Sequence, residues 1–168
     1  MDEDFFSALT ELLEKTTLPD NPELEAAQTY LEQAAQTNLP EFVKTLSEIL
    51  ECSWISPVVR MAAGLQLKNT LTSKDPDVKK QYQQCWLAFP EETRAYVKKN
   101  ILASLGTENN RPSSAAQCVA YVAVAELPVG QCIGVMVNNV IDSTSTEMKE
   151  ATHQAMGYIC EDIVSCIY

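Results

Sequence analysis

The sequence predicts an all-α protein, built as a stack of antiparallel helix pairs. Apolar residues recur with a period near 3.6 in one segment after another, which is the signature of amphipathic helices. Cap residues and prolines stand where those helices should begin. The connections are short, and short connections make neighbouring helices antiparallel. With 46% hydrophobic and 21% charged residues, the 168-residue chain can bury one sizeable core.

The first pair of helices is predicted to begin near residues 3 and 22. Asn21 directly precedes Pro22, and proline suits the first helical position because the N–H that it lacks would be unpaired there. Apolar stripes mark both helices: Phe5, Leu9, Leu12 and Leu13, then Leu24, Ala27, Tyr30, Leu31 and Ala34.

The second pair is predicted to begin near residues 39 and 57. Asn38 and Glu41 have the spacing of a capping box, and the step Ser56–Pro57 again places a cap residue before a proline. The step Asp75–Pro76 predicts an additional helix over about 76–88.

The third pair is predicted to begin near residues 90 and 112, and the fourth near 131 and 145. Gly106 is placed to end the helix before it. Residues 113–126 and 132–141 are apolar nearly all round, which predicts buried helices. Thr144 and Glu147 have capping-box spacing at the last start.

These pairs predict four repeats within a single unit, at about 3–36, 39–88, 90–126 and 131–164. A spacing of about 35 to 52 residues suits a two-helix α-solenoid of the HEAT type. The second helices are rich in alanine, which lets stacked helices approach closely. An ordinary globular all-α domain remains the alternative.

The charge of the chain is unevenly spread. Residues 1–51 carry a net charge of −10, residues 52–111 of +4, and residues 112–168 of −5. Acidic ends exclude a general nucleic-acid binder, because phosphate binding needs a basic surface; the basic middle could meet an acidic protein. The longest apolar run has eight residues, far below the roughly 20 of a membrane span. The acidic N-terminus also predicts no signal peptide.

No pattern of catalytic or metal-binding residues is present in the sequence. The six cysteines form no CxxC pair and are predicted to be reduced thiols. His153 is the one histidine, and a pairing with Cys160 would lack an oxyanion hole and an orienting acid. We therefore predict a binding protein with no cofactor and no metal, and keep a Cys–His hydrolase as a weak third hypothesis.

Several short segments of the sequence together resemble one protein family. They are Leu24-Glu25-Ala26-Ala27-Gln28, Ala62-Ala63-Gly64-Leu65-Gln66-Leu67-Lys68-Asn69, Leu71 to Asp77, Gln81 to Gln84 with Trp86 to Ala88, Leu105 to Glu108 with Arg111 to Ala115, Gln117 to Ala120 and Gly157-Tyr158-Ile159-Cys160. In this order, over roughly residues 9–163, they resemble the N-terminal end of the importin-β, or karyopherin-β, nuclear transport receptors.

The resemblance implies a HEAT-repeat superhelix whose second helices line a concave surface. It implies that the N-terminal repeats bind the GTP-bound form of the small GTPase Ran, and a location in cytoplasm, nucleus and nuclear pore. Family analogy places the Ran contacts at five residues: Lys68, Asn69, Lys74, Arg111 and Asp162.

The resemblance also has gaps. Residues 129–141 follow the family poorly, and Trp54 stands in a loop where polar residues are expected. The family's adaptor-binding repeats and main nucleoporin pockets lie beyond residue 168, so nucleoporin binding is a possibility without its main sites. The apolar end of the fourth pair predicts self-association, which sizing chromatography at several concentrations tests. A helical-repeat scaffold or truncated product with a partner other than Ran is the alternative function.

Overall fold

A computed structural model describes residues 3–18, 22–109, 112–126, 138 and 145–167, with the side chains of the last helix described as far as Glu161. Over these ranges the chain forms helices and no strand. The helices are α1 (Glu3–Thr17), α2 (Leu24–Thr37), α3 (Leu39–Glu51), α4 (Pro57–Asn69), α5 (Pro76–Ala88), α6 (Glu91–Ser104), α7 (Ser114–Glu126) and α8 (Thr146–Ile167). The all-α prediction with an additional helix at 76–88 is confirmed.

The helices pack in chain order, each pair against the next. α1 contacts α2 and α4, α3 contacts α4 and α6, and α7 contacts α4, α6 and α8, while α5 lies against α7. No helix in the described part of the chain is long and apolar enough to cross a membrane. The helix predicted near 131–141 lies outside the described residues.

Three predicted helix caps are present in the structure. Side-chain oxygens of Asn38, Ser56 and Asp75 accept backbone N–H bonds of 2.9 to 3.4 Å at the starts of α3, α4 and α5. The box predicted at α3 is only half formed, because Glu41 bonds the Lys44 ammonium at 3.4 Å instead of reaching back to the cap. Local sequence signals therefore place these helix starts correctly.

α2 begins at Leu24, two residues later than predicted. Glu23 is its N-cap and has no side-chain cap bond, while its carbonyl accepts the first helical N–H, from Ala27, at 2.8 Å. Asn21, the predicted cap, lies outside the described residues. The cap–proline signal thus marks the region of this start but not its residue.

α8 is capped by Ser145. Its hydroxyl accepts the Met148 N–H at 3.2 Å and donates to the Glu147 carboxylate at 2.8 Å. Thr144, which we predicted to pair with Glu147, lies outside the described residues. Glu147 therefore supports the cap one residue after the predicted position.

α4 and α7 approach each other closely at Gly64. A Cβ atom on Gly64 would lie 2.7 Å from the Cβ of Ser114, closer than real Cβ contacts come. The Cys118 thiol donates to the Gly64 carbonyl at 3.3 Å. Ala63 and Ala115 are fully buried beside this contact, as the predicted small-residue packing requires.

The loop after α6 ties several helices together. Gly106 has φ +77° and ends α6 as predicted, and a Cβ there would lie 2.7 Å from the backbone nitrogen of Met148 in α8. The buried Arg60 of α4 donates to the Leu50 carbonyl at 2.8 Å and to the Thr107 hydroxyl at 2.6 Å. The loop is thus hydrogen-bonded to α4 and packed closely against α8.

Glu108 in the same loop caps α7. Its carboxylate accepts the N–H groups of Ser114 at 3.3 Å and Ala115 at 2.9 Å, and also the hydroxyls of Ser113 and Ser114. A carboxylate at a helix N-terminus is favoured by the unpaired N–H groups and by the helix dipole. α7 is therefore held by a side chain six residues before its first residue.

Candidate protein-binding site

A cleft of about 510 Å³ separates α2 from α4. The two helices are joined through α1 and α3, which both contact them. We call this feature the α2–α4 cleft. It is lined by Gln28, Leu31, Glu32, Ala35, Phe42, Gln66, Asn69, Thr70 and Tyr82.

The chemistry of the α2–α4 cleft suits a protein partner. Leu31 and Phe42 are buried and form an apolar floor. The walls carry amides and hydroxyls, and Glu32 is the one titratable carboxylate among the lining residues. An apolar centre with a polar rim is typical of protein interfaces.

Asn69 and Lys68, although adjacent, belong to different surroundings. Asn69 is exposed and lines the α2–α4 cleft. Lys68 is half-buried, and its positive charge acts on Cys118 of α7. Burial raises the pKa of the Cys118 thiol and Glu108 raises it further, while Lys68 opposes them. Lys68 therefore lies on the α7 side of α4.

Lys74 is exposed in the loop between α4 and α5. Three of the five predicted Ran contacts, Lys68, Asn69 and Lys74, thus lie at or just after the C-terminal end of α4. Arg111 lies outside the described residues. Asp162 lies in α8, beyond the side chains that the structure describes.

Sequence reasoning missed a buried carboxylate at Glu126, which is 2% exposed at the end of α7. Its Oε1 accepts the indole N–H of Trp86 at 3.1 Å and the Arg94 guanidinium at 3.2 Å. Its Oε2 accepts the Lys98 ammonium at 2.9 Å. Arg94 and Lys98, four residues apart on α6, share one helix face, and this spacing could have indicated a common acidic partner.

The residues of the hydrolase hypothesis show no catalytic geometry. His153 is exposed, and its Nδ1 lies 3.0 Å from the Lys149 carbonyl. Cys160 is exposed, and no hydrogen bond joins it to His153. In the part of the chain that the structure describes, no group of three or more His, Cys, Asp or Glu residues could hold a metal ion.

Comparison with known proteins gives consistent matches. Residues 27–107 match the family model of the importin-beta N-terminal domain. The chain is 37% identical over 157 residues to importin subunit beta-1 of Schizosaccharomyces pombe, covering 91% of this chain and 18% of that protein. The chain therefore spans about a fifth of the length of this relative.

Two solved structures share the fold closely. One is a structure of Kap95p, whose binding induces the switch loops of RanGDP to adopt the GTP-bound conformation. It matches this chain with a TM-score of 0.85 and 31% identity, over 93% of this chain and 19% of that chain. The other is a Kap95:Nup1 complex, with a TM-score of 0.83 and 29% identity, over the same shares of the two chains. These matches confirm the predicted HEAT-type α-solenoid.

Proposed function

We propose that this chain, whose residues 27–107 match the family model of the importin-beta N-terminal domain, forms the N-terminal repeats of a nuclear transport receptor and binds the GTP-bound form of the small GTPase Ran. The main support for the proposal is the structural match to Kap95p, over 93% of this chain, in a structure that concerns Kap95p binding to RanGDP. The repeats are proposed at the sequence-derived bounds 3–36, 39–88, 90–126 and 131–164.

The proposed Ran surface centres on the C-terminal end of α4. Asn69 offers an exposed amide at the α2–α4 cleft. Lys74 offers an exposed ammonium in the loop after α4, and Lys68 a half-buried one on the α7 side of the helix. Arg111 and Asp162 are proposed to extend this surface. An exposed lysine such as Lys74 can pair with a carboxylate of a partner, and it accelerates association when the partner carries the opposite charge.

The proposed role is transport and not catalysis. The relatives are named as importin subunits, and we propose that the chain, as part of such a receptor, passes between cytoplasm and nucleus through the nuclear pore. Contact with nucleoporins is proposed as well, since the Kap95:Nup1 complex shares this fold.

Ran binding is testable with immobilised Ran loaded with GTP or with GDP. We expect the GTP form to bind the chain more tightly. We also expect Lys68→Glu and Lys74→Glu each to weaken binding by about two- to fivefold, the range of an exposed ion pair, and to weaken it less at high salt. Lys99→Glu is the matched control, because it reverses an exposed lysine on α6, away from α4.

Three outcomes would count against the proposed function. Binding to neither nucleotide state would leave the fold without the Ran role, and equal binding to both would remove the proposed preference for the GTP form. A loss with Lys99→Glu as large as with Lys68→Glu would show a general charge effect. If neither form of Ran binds, the scaffold with a partner other than Ran becomes the better hypothesis.

A further inference from the structure

A second cavity, of about 110 Å³, lies at the other end of α3. Phe42 in the α2–α4 cleft and Glu51 in this cavity are nine residues apart on α3, about 14 Å along the helix axis, so the cavities are separate surfaces. We call this cavity the Trp54 pocket. Its lining contains Phe6, Glu48, Glu51, Trp54, Tyr96 and Asn100.

The Trp54 pocket has aromatic walls that solvent reaches. Trp54, in the turn between α3 and α4, is 83% exposed, whereas the other tryptophan, Trp86, is 1% exposed. Tyr96 and Phe6 supply further aromatic surface from α6 and α1. A single exposed apolar residue is ordinary. Three aromatic side chains around one cavity are a potential anchor site for a partner.

The polar groups in the Trp54 pocket are acidic. Glu48 is 7% exposed, and its Oε1 accepts the Tyr96 hydroxyl at 2.8 Å. Its other oxygen accepts no hydrogen bond from the described residues. Glu51 is exposed and forms no ion pair with them. Burial raises the pKa of Tyr96, and Glu48 and Glu51 raise it further, so the phenol remains the donor.

No cation belongs to the lining of the Trp54 pocket. The Lys44 ammonium lies over the Tyr96 ring, 5.6 Å from its centre, in a cation–π contact, and it pairs with Glu41 at 3.4 Å and not with Glu48 or Glu51. Glu48 is thus a largely buried residue whose second carboxylate oxygen has no hydrogen bond from the described residues and is reached by solvent. That oxygen is open to a charge-assisted hydrogen bond from a ligand of opposite charge.

The chemistry of the pocket selects a guanidinium group. Ligand sites for whole small molecules measure roughly 300 to 1,000 Å³, so a cavity near 110 Å³ accepts the head of one side chain. Guanidinium stacks on aromatic faces and presents several N–H groups to carboxylates, whereas an ammonium is a point charge. Residues 1–51 carry a net charge of −10, which attracts a basic segment from a distance.

We propose that the Trp54 pocket docks an arginine side chain from a basic peptide segment of a partner protein. The guanidinium bonds the carboxylates of Glu48 and Glu51, and the Trp54 indole stacks against it. This surface belongs to α1, α3 and α6 and does not depend on the proposed Ran surface at the end of α4.

The test uses the full chain and a fluorescein-labelled peptide of alternating glycine and arginine. We expect a saturable rise in polarisation, and quenching of Trp54 emission by the unlabelled peptide. We expect Trp54→Ala and Glu51→Gln each to weaken binding about two- to fivefold. Both residues are exposed, so neither change endangers the fold. Glu25→Gln is the matched control, since it removes one exposed carboxylate from α2.

Each outcome decides the proposal. Unchanged binding by the Glu25→Gln and Lys68→Glu variants, together with weaker binding by the two pocket variants, supports it. Equal weakening by Glu25→Gln would reduce the effect to general acidity and overturn it. Equal affinity for a glycine–lysine peptide would overturn the choice of arginine. A dimer that Trp54→Ala dissolves would show a second copy to be the occupant, and would overturn the proposal too.

Discussion

At the residue scale, a glycine at position 64 allows α4 and α7 to approach closely, because it has no side chain. Gly64 has the Ser114 side chain directly where its Cβ would stand, and the Leu50 methyl group 3.3 Å from that position. The Cys118 thiol bond to the Gly64 carbonyl belongs to the same contact. This glycine is required by close approach and not by its backbone angles, so a helix-breaking interpretation of the residue would be wrong.

We expect Gly64→Ala to destabilise the chain by about 1 to 3 kcal/mol, because α4 and α7 must separate to admit the methyl group. This loss exceeds the gain of less than about 1 kcal/mol in helix propensity that alanine brings. Urea denaturation followed by far-UV circular dichroism measures the difference. Gly157→Ala is the control, since a Cβ there meets nothing within 4 Å, and it should stabilise slightly. Equal stability of the Gly64→Ala variant and the unmodified chain would contradict the contact.

The cysteines should differ sharply in reactivity. Cys85 and Cys160 are exposed. Cys52 and Cys118 are buried, and burial raises the pKa of both thiols, so the reactive thiolate is scarce in the folded chain.

At pH 8 we expect iodoacetamide to label Cys85 and Cys160 quickly, and Cys118 only after unfolding. Peptide mapping by mass spectrometry assigns the sites. The unfolded chain in urea is the control, because there all thiols should react at similar rates. Labelling of Cys118 as fast as Cys85 in the folded chain would show that α4 and α7 open readily.

At the scale of the element, α5 is joined to α7 by a hydrogen bond to one buried carboxylate, that of Glu126. The indole of Trp86 joins α5 to Glu126, and the same carboxylate binds Arg94 and Lys98 of α6. Trp86 also packs against Phe89, with ring centroids 5.7 Å apart. The additional helix is thus part of the core through its own buried tryptophan.

We expect Glu126→Gln to destabilise the chain by about 1 to 3 kcal/mol, because two cations lose their counter-charge while the shape of the site is kept. The red shift of Trp86 emission in urea should begin at lower concentration. Glu92→Gln, on the exposed face of α6, is the control and should shift the midpoint little. An unchanged midpoint in the Glu126→Gln variant would show that the pairs contribute nothing net.

At the scale of the whole molecule, the sequence predicts what depends on near neighbours in the chain. Helix periods and the caps at Asn38, Ser56 and Asp75 act within four residues, and they were predicted correctly. Glu126 meets partners 28 to 40 residues away; the spacing of Arg94 and Lys98 indicates an acidic partner, but no local pattern identifies Glu126 as that partner. For the same reason the sequence analysis predicted Lys68 and Asn69 to belong to one surface. In the structure Lys68 lies on the α7 side of α4, whereas Asn69 lines the α2–α4 cleft.

The contacts of the loop after α6 limit how much the length of that loop can change between related proteins. Gly106 packs closely against α8, and Thr107 and Glu108 form hydrogen bonds with α4 and α7, so adding or removing one residue would disrupt at least one of these contacts. The loop between α4 and α5 carries exposed residues such as Lys74 and can change length more freely. Among related sequences, insertions and deletions should therefore be common in the loop before α5 and rare in the loop after α6.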